Sequence, residues 1–453
     1  MKTSTKQFKL YILGLCTLVI SILLPACDII RDDNTQSLAA NLDRLLETNG
    51  NIQGKAYFKM PASDDYSNIP QDPRNPITAA KVKLGQLLFH ETGLLADAKR
   101  TEGLKTASCA SCHHADAGFQ AGIVQGIGEG GLGFGVHGEG RIKDPTCPVD
   151  MLDIQPIRSP SAMNAAWQTN VLWNGQFGAT GINVGTNASW TAGTPKEKNL
   201  LGYEGIETQA IAGQNVHRLN VSAIQNDATY QALYAAAFPN SPASDQMNQV
   251  NTGLAIAAYE RTLLANESPF QRYLKGESQA MSAQELQGAI LFFGKAQCVS
   301  CHYGPALNSM KFYALGMNDL IGDGIYGSDA TKAEHKGRAG FTGNALDMFK
   351  FKVPQLYNLA DSKFYGHGGT FRTIRDVVAY KNNGIPQKSE VASWQLANEF
   401  RPLGLTSSEV DAITTFLEVS LHDPNLKRYV PKSLPTGQAF PNNDVQSRKD
   451  LKF

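Results

Sequence analysis

Two short stretches carry the chemistry this chain can be read for, Cys109-Ala110-Ser111-Cys112-His113 and Cys298-Val299-Ser300-Cys301-His302. Both have the form C-x-x-C-H, the attachment motif of c-type haem. The spacing suits that chemistry: two thiols add to the two vinyl groups of one porphyrin, and the adjacent imidazole ligates the iron. With 7 Cys and 9 His among 453 residues, chance supplies roughly 0.002 such motifs. Other readings of the cysteines fit less well. A structural zinc site closes four ligands drawn from paired short spacings, whereas these motifs lie 189 residues apart (302 − 113). A redox C-x-x-C belongs in a βαβ context, which neither motif has. The expectation is two covalently bound haem c groups. Cys109, Cys112, Cys298 and Cys301 would attach them, and His113 and His302 would ligate the irons.

The N-terminus reads as a processing signal. Lys2, Lys6 and Lys9 precede an apolar run from Leu10 to Leu24, closed by Leu24-Pro25-Ala26-Cys27. A small residue before Cys resembles a bacterial lipobox, so residues 1–27 are expected to be a lipoprotein signal with Cys27 lipidated. A plain secretory cleavage nearby is the alternative, and the run is short for a spanning helix, which needs about 20 apolar residues. The cysteines then sort themselves. Cys16 leaves with the signal, Cys27 takes lipid, four take haem, and Cys147 alone remains, so no disulfide framework forms in the mature chain. Export to the periplasm or cell envelope agrees with haem attachment. The charge balance, 41 Lys plus Arg against 41 Asp plus Glu, gives no sign of a nucleic-acid partner.

The elements that must position these residues are mainly helical. Residues 28–54 are polar and read as a tether with a short helical patch at Leu42 to Leu46. From Ile77 to His90, Ala80, Val82, Leu84, Leu87 and Leu88 recur at helical spacing ahead of the first motif. Ala115 to Gly140 is too rich in glycine for helix and is either a wrap on the distal side of a haem or a surface loop. A second helix is expected over Gln249 to Ala265. Ser282-Ala283-Gln284-Glu285 is a capping box opening the helix Glu285 to Phe293, and Thr406-Ser407-Ser408-Glu409 opens another. The pattern of apolar helix, C-x-x-C-H and long loop occurs twice. The expected fold is mainly α, two cytochrome c-like haem domains (55–275 and 276–425) with long irregular loops and a tail, 426–453.

Between Leu84 and Leu421 the sequence resembles the bacterial di-haem cytochrome c peroxidases, including their MauG-like members. The resemblance rests on Leu84-Gly85-Gln86-Leu87-Leu88-Phe89, Arg158-Ser159-Pro160-Ser161-Ala162-Met163-Asn164-Ala165 and Leu172-Trp173-Asn174-Gly175. It continues through Glu260-Arg261-Thr262-Leu263, Ser268-Pro269-Phe270-Gln271-Arg272-Tyr273-Leu274, Phe351-Lys352-Val353-Pro354-Gln355-Leu356-Tyr357-Asn358 and Gly366-His367-Gly368-Gly369. It implies that hydrogen peroxide is reduced at the His113 haem. Electrons from a small cytochrome c or copper protein would enter at the His302 haem and cross by Trp173. The MauG-like alternative uses peroxide to oxidise side chains of a partner protein, and a plain electron carrier is a third reading. A homodimer is compatible with the resemblance.

Three departures from the family pattern matter. The family's distal glutamate should follow Glu207-Thr208-Gln209-Ala210, but the chain continues Ile211-Ala212-Gly213-Gln214-Asn215-Val216-His217-Arg218. His217 is the substitute with acid–base chemistry; Arg218 would stabilise separating charge, and Gln209 joins them in the catalytic set. His137 is the counterpart of the family's loop histidine on the first iron, and His114 is expected in solvent or on a haem propionate. Opposite His302, where relatives carry methionine or tyrosine, the alignment puts Lys381 with Tyr380 beside it, while Met310, Met317 and Met348 do not align. The interdomain Ca2+ of relatives is also in question, since Arg158 and Ser362 stand where its oxygen ligands would be sought.

Overall fold

The computed structural model describes residues 33–453; the expected export signal and Cys27 lie outside them. The helices are α1 (Asp33–Asn49), α2 (Ala79–His90), α3 (Gly205–Val216), α4 (Ala228–Ala237), α5 (Gln249–Arg261), α6 (Pro269–Leu274), α7 (Ala283–Phe293), α8 (Ala339–Thr342), α9 (Ile374–Asn383), α10 (Ser407–Thr415) and α11 (Val445–Asp450). Among the described residues, strand is confined to two antiparallel pairs of two residues each. One joins Gly131–Leu132 to Ile142–Lys143, the other Phe312–Tyr313 to Phe351–Lys352. The mainly helical expectation holds.

The two halves repeat one another closely. Helix α2 crosses α5 where Gly85 faces Ala255 and Tyr259, and α7 crosses α10 where Gly288 faces Ala412 and Phe416. A methyl on either glycine would strike the facing carbonyl, so the sequence uses glycine to let two backbones touch. Each C-x-x-C-H is a short turn, with His113 N–H donating to Cys109 O and His302 N–H to Cys298 O. Phe119 and Leu307 follow with positive φ (53° and 46°), and so do Asn164 and Asn358 (both 55°). Each asparagine backbone N–H binds the end of its half's last helix, at Leu263 O and Leu421 O. A tight turn closed by Val171 and Phe177 holds Trp173, and its counterpart closed by Tyr365 and Phe371 holds His367. The halves are offset by 157 residues at Tyr259/Phe416 and by 158 at Leu263/Leu421. The π turn Phe416–Ser420 lies where that extra residue enters.

The capping boxes at Ser282 and Thr406 are formed as read. Two segments differ from expectation. Residues 33–49 are helix, not tether: Leu42 and Leu46 are fully buried, Asn49 Nδ2 donates to Phe293 O at 3.2 Å, and Tyr273 donates to Asp43 at 2.9 Å. Leu38, Leu42, Leu45 and Leu46 share one face, and that face needed cover. The last 28 residues are no free tail either. Ala439 and Asn442 are buried, Thr92 donates to Ala439 O, and Ser108 and Ser111 both donate to Pro441 O at 3.0 Å. The C-terminus thus clamps the turn that carries the first C-x-x-C-H.

Candidate functional site

One continuous cavity of about 880 Å³ runs through the molecule, and Cys109, Cys112, His113, Cys298, Cys301 and His302 all line it. The local geometry repeats. His113 Nδ1 lies 3.2 Å from Phe119 O, and His302 Nδ1 lies 2.9 Å from Leu307 O, with the Pro160 and Pro354 carbonyls also beside these rings. Backbone acceptors at Nδ1 fix the tautomer and leave Nε2 as the free donor, the arrangement a metal-bound imidazole needs. Burial pushes both imidazoles down to about 4, so they are neutral and able to ligate. The four cysteines are free thiols facing the same space. These residues fit two c-type haems.

Opposite the two histidines the halves diverge. Helix α9 lines the cavity with Ile374, Val377, Val378 and Lys381, and α3 lines it with Ile206, Gln209, Ala210 and Gly213. Both sets run i, i+3, i+4, i+7, one helical face, so Lys381 and Gly213 occupy equivalent places. Lys381 is held by burial below the usual ammonium range, against the pull of Cys301, Cys298 and Glu399. Its ammonium lies 5.3 Å from the Phe400 ring. Tyr380 points away: its hydroxyl donates to Leu315 O at 2.5 Å, and its ring packs on Phe371 and Phe400. Of the two, Lys381 lines the cavity and Tyr380 does not. Met317, which the alignment passed over, also lines it.

Around Gly213 the α3 face carries Gln209 one turn earlier and His217 at the helix end. His217 Nδ1 is 2.9 Å from Asp153 Oδ2 and 3.0 Å from Oδ1. Burial opposes the imidazolium, but the Asp153 charge and hydrogen bond outweigh it and raise the His217 pKa. Burial likewise opposes the Asp153 carboxylate, and His217, Arg218 and Arg141 together lower its pKa. Asp153 was not found from sequence because it lies 64 residues from its partner in a stretch without periodicity. Glu260 was also missed. It lines the cavity where the second half has Leu417, and burial pushes its carboxyl up to about 8.

Other expected residues lie elsewhere. Arg218 does not line the cavity but pairs with fully buried Glu129 at 2.8 Å. His137 is exposed, its loop tied by Glu139 to the His137 N–H at 2.5 Å. His114 is buried, edge-on to Phe134 at 4.9 Å, and is neither in solvent nor in the cavity wall. Trp173 does line the cavity, with its indole N–H donating to Arg158 O at 2.8 Å and its ring 6.3 Å from that of His367. The place considered for Ca2+ does not suit the ion. The Arg158 guanidinium donates there to the Ala121, Ile123 and Val124 carbonyls and to Ser362 Oγ. Those oxygens already serve a cation that cannot leave. Among the described residues no cluster of three or more His, Cys, Asp or Glu could hold a metal.

Known proteins resemble this chain in sequence and fold. The sequence profile of the di-haem cytochrome c peroxidases matches residues 79–279. The cytochrome-c peroxidase IdrP1 of Denitromonas iodatirespirans is 28% identical over 81% of this chain and 88% of its own. The methylamine utilization protein MauG of Methylorubrum extorquens is 26% identical over 82% and 85%. Among solved structures, a MauG-like protein associated with microbial copper homeostasis superposes with a TM-score of 0.56 at 24% identity, over 81% of this chain and 95% of that one. The diheme peroxidase BthA of Burkholderia thailandensis gives 0.50 at 17%, over 81% and 91%. Two C-x-x-C-H turns open into one cavity, residues 79–279 match the di-haem cytochrome c peroxidase family, and the chain is similar to peroxidases and MauG proteins of that kind along most of its length.

Proposed function

We propose that this protein is a peroxidase that reduces hydrogen peroxide to water with electrons from a small redox protein, working from the cell envelope. One observation carries the reading: equivalent helix faces present Lys381 toward His302 but Gly213 toward His113. His302 and Lys381 would hold the iron of a haem bound at the second site, while beside His113 the cavity would leave room for a small molecule next to His217. Haem at the two sites supplies iron that passes single electrons and, where a position is open, meets peroxide. The chain supplies the proton handling. His217 Nε2, with Nδ1 engaged by Asp153, takes the proton from the near oxygen of peroxide and returns it to the far oxygen, which leaves as water. Gln209 offers an amide hydrogen bond one turn away. Trp173, lodged on Arg158 O, lies in the wall shared by both sites and serves as the relay between them.

The MauG-like reading gains from Lys381. An amine donor in place of a thioether lowers the potential of the second haem and so favours the oxidised protein, which suits removal of electrons from a partner protein. A lipid anchor at Cys27 completes the location proposed here; no helix among the described residues is long and apolar enough to cross a membrane. Peroxide consumption with a reduced small cytochrome or cupredoxin as donor tests the main reading. Saturable turnover supports it, and a mature protein carrying two haems that leaves both peroxide and donor untouched would sink it.

A further inference from the structure

Several cations set into this molecule have carboxylate partners, while buried Arg338 donates instead to the Asn174, Gly175 and Ile182 carbonyls. Arg261 pairs with Glu204 and Glu207, Arg141 with Asp444, and Arg428 with Asp423. Lys352 is different. It is 6% exposed, lines the cavity, and forms no ion pair among the described residues; its ammonium donates only to the Gln168 side chain, at 2.7 Å. An ammonium out of water without a counter-charge is disfavoured. Burial accordingly pushes its pKa down to about 7. Lys381 also lines the cavity without an ion pair among the described residues, but it is only partly buried and stands opposite His302, where a neutral amine has a role. Lys352 stands two residues before Pro354, on the histidine's own side.

The repeat supplies a second, independent observation. Two residues before Pro160, the equivalent proline of the first half, stands Arg158. It too is buried and lines the cavity, makes no ion pair among the described residues, and keeps an unpartnered Nε. The duplicated fold therefore sets one buried, anion-less cation at the same place in each half. A chance packing lysine would not be matched in this way.

Resting on the two-haem reading, we infer that Lys352 is a binding residue for a haem propionate, its ammonium paired with the cofactor's carboxylate, and that Arg158 is its counterpart in the other half. The propionates are the anions that a c-type haem brings into the cavity, and the pairing would repay the desolvation of Lys352. Because the Lys352 N–H also donates to Trp173 O at 2.8 Å, the pair would tie one haem edge to the backbone of the relay residue.

The test compares the parent with Lys352→Met, Lys352→Gln and Lys352→Arg in the mature two-haem protein, with haem content counted first by pyridine haemochrome. Midpoint potentials of both haems and their propionate bending bands in resonance Raman are then read. Loss of the positive charge should lower one haem's potential and move that haem's propionate band in Lys352→Met and Lys352→Gln, and Lys352→Arg should restore both. A change at either haem supports the pairing and names the haem concerned. Two haems present with both potentials and all propionate bands unmoved would overturn the inference while leaving the two-haem reading intact; absence of haem from the parent would fail that reading itself. If the neutral variants do not fold, infrared difference spectra of the parent carrying propionate-labelled haem decide instead. An ion-paired carboxylate supports the pairing, and a protonated or water-solvated one rejects it.

Discussion

Lys381 can bind iron only through an unprotonated amine, and burial works toward that form. The opposing pull of Cys301 and Cys298 belongs to thiolates and disappears once those sulfurs are thioethers. Lys381→Ala should therefore abolish the low-spin signal of the His302 haem in EPR, whereas Tyr380→Phe should leave it intact. Acid should have the same effect as the alanine, because falling pH protonates the amine and detaches it. At the first haem, His217→Ala should slow the reaction with peroxide by ~10²–10⁴-fold in stopped-flow mixing. Asp153→Asn tests the pair more finely. The Asp153 charge raises the His217 pKa, and a base must be unprotonated to act, so the rate should rise with pH through that value. Removing the charge should shift the rise to lower pH. The pair's contribution to stability has two limits. His217, raised, contributes below about 6.5 and loses its share as pH climbs through its folded pKa; Asp153, lowered, contributes above about 3.9 and loses its share in acid. How far these residues were legible depended on chain distance. His217 and Lys381 follow recognisable landmarks, and Lys381 shares the face of Ile374, Val377 and Val378. Asp153 and Glu129 act from segments whose position no local pattern fixes.

The helices that carry this chemistry meet at glycines. At Gly288 a Cβ would collide with the Ala412 carbonyl, which is backbone and cannot swing aside. Gly288→Ala should then force α7 and α10 apart and destabilise the protein by about 1–3 kcal/mol, read as a lower denaturation midpoint at unchanged haem content. Helix starts were readable because Ser282 and Thr406 advertise themselves through Glu285 and Glu409. The end of α10 was not, since a π turn is a tertiary accommodation without a sequence signature of its own. Helix α1 was misread for a related reason: its polar surroundings hid a four-leucine face that makes sense only once α7 is beside it.

Across the whole molecule, the termini do work that composition concealed. The polar stretch 426–453 has no periodicity, yet Asp444 receives buried Arg141 at 3.2 Å and Pro441 O holds both serines of the first haem turn. Truncation after residue 430 should leave that turn unsupported. Mass spectrometry of the exported product should show the haem at Cys109 and Cys112 depleted well before the one at Cys298 and Cys301. An equal loss at both would mean that the C-terminus supports the fold in general. The duplication has a wider consequence. If both halves descend from one inherited unit, the ancestor had no direction: electrons could enter either end. Polarity would then have arrived with glycine at one helical position and lysine at its equivalent, and with His217–Asp153 and Glu260 in a single half. Exchanging Gly213 and Lys381 alone would thus not run the molecule backwards. It would stop it, because the capped site would hold the proton machinery and the open one would have none.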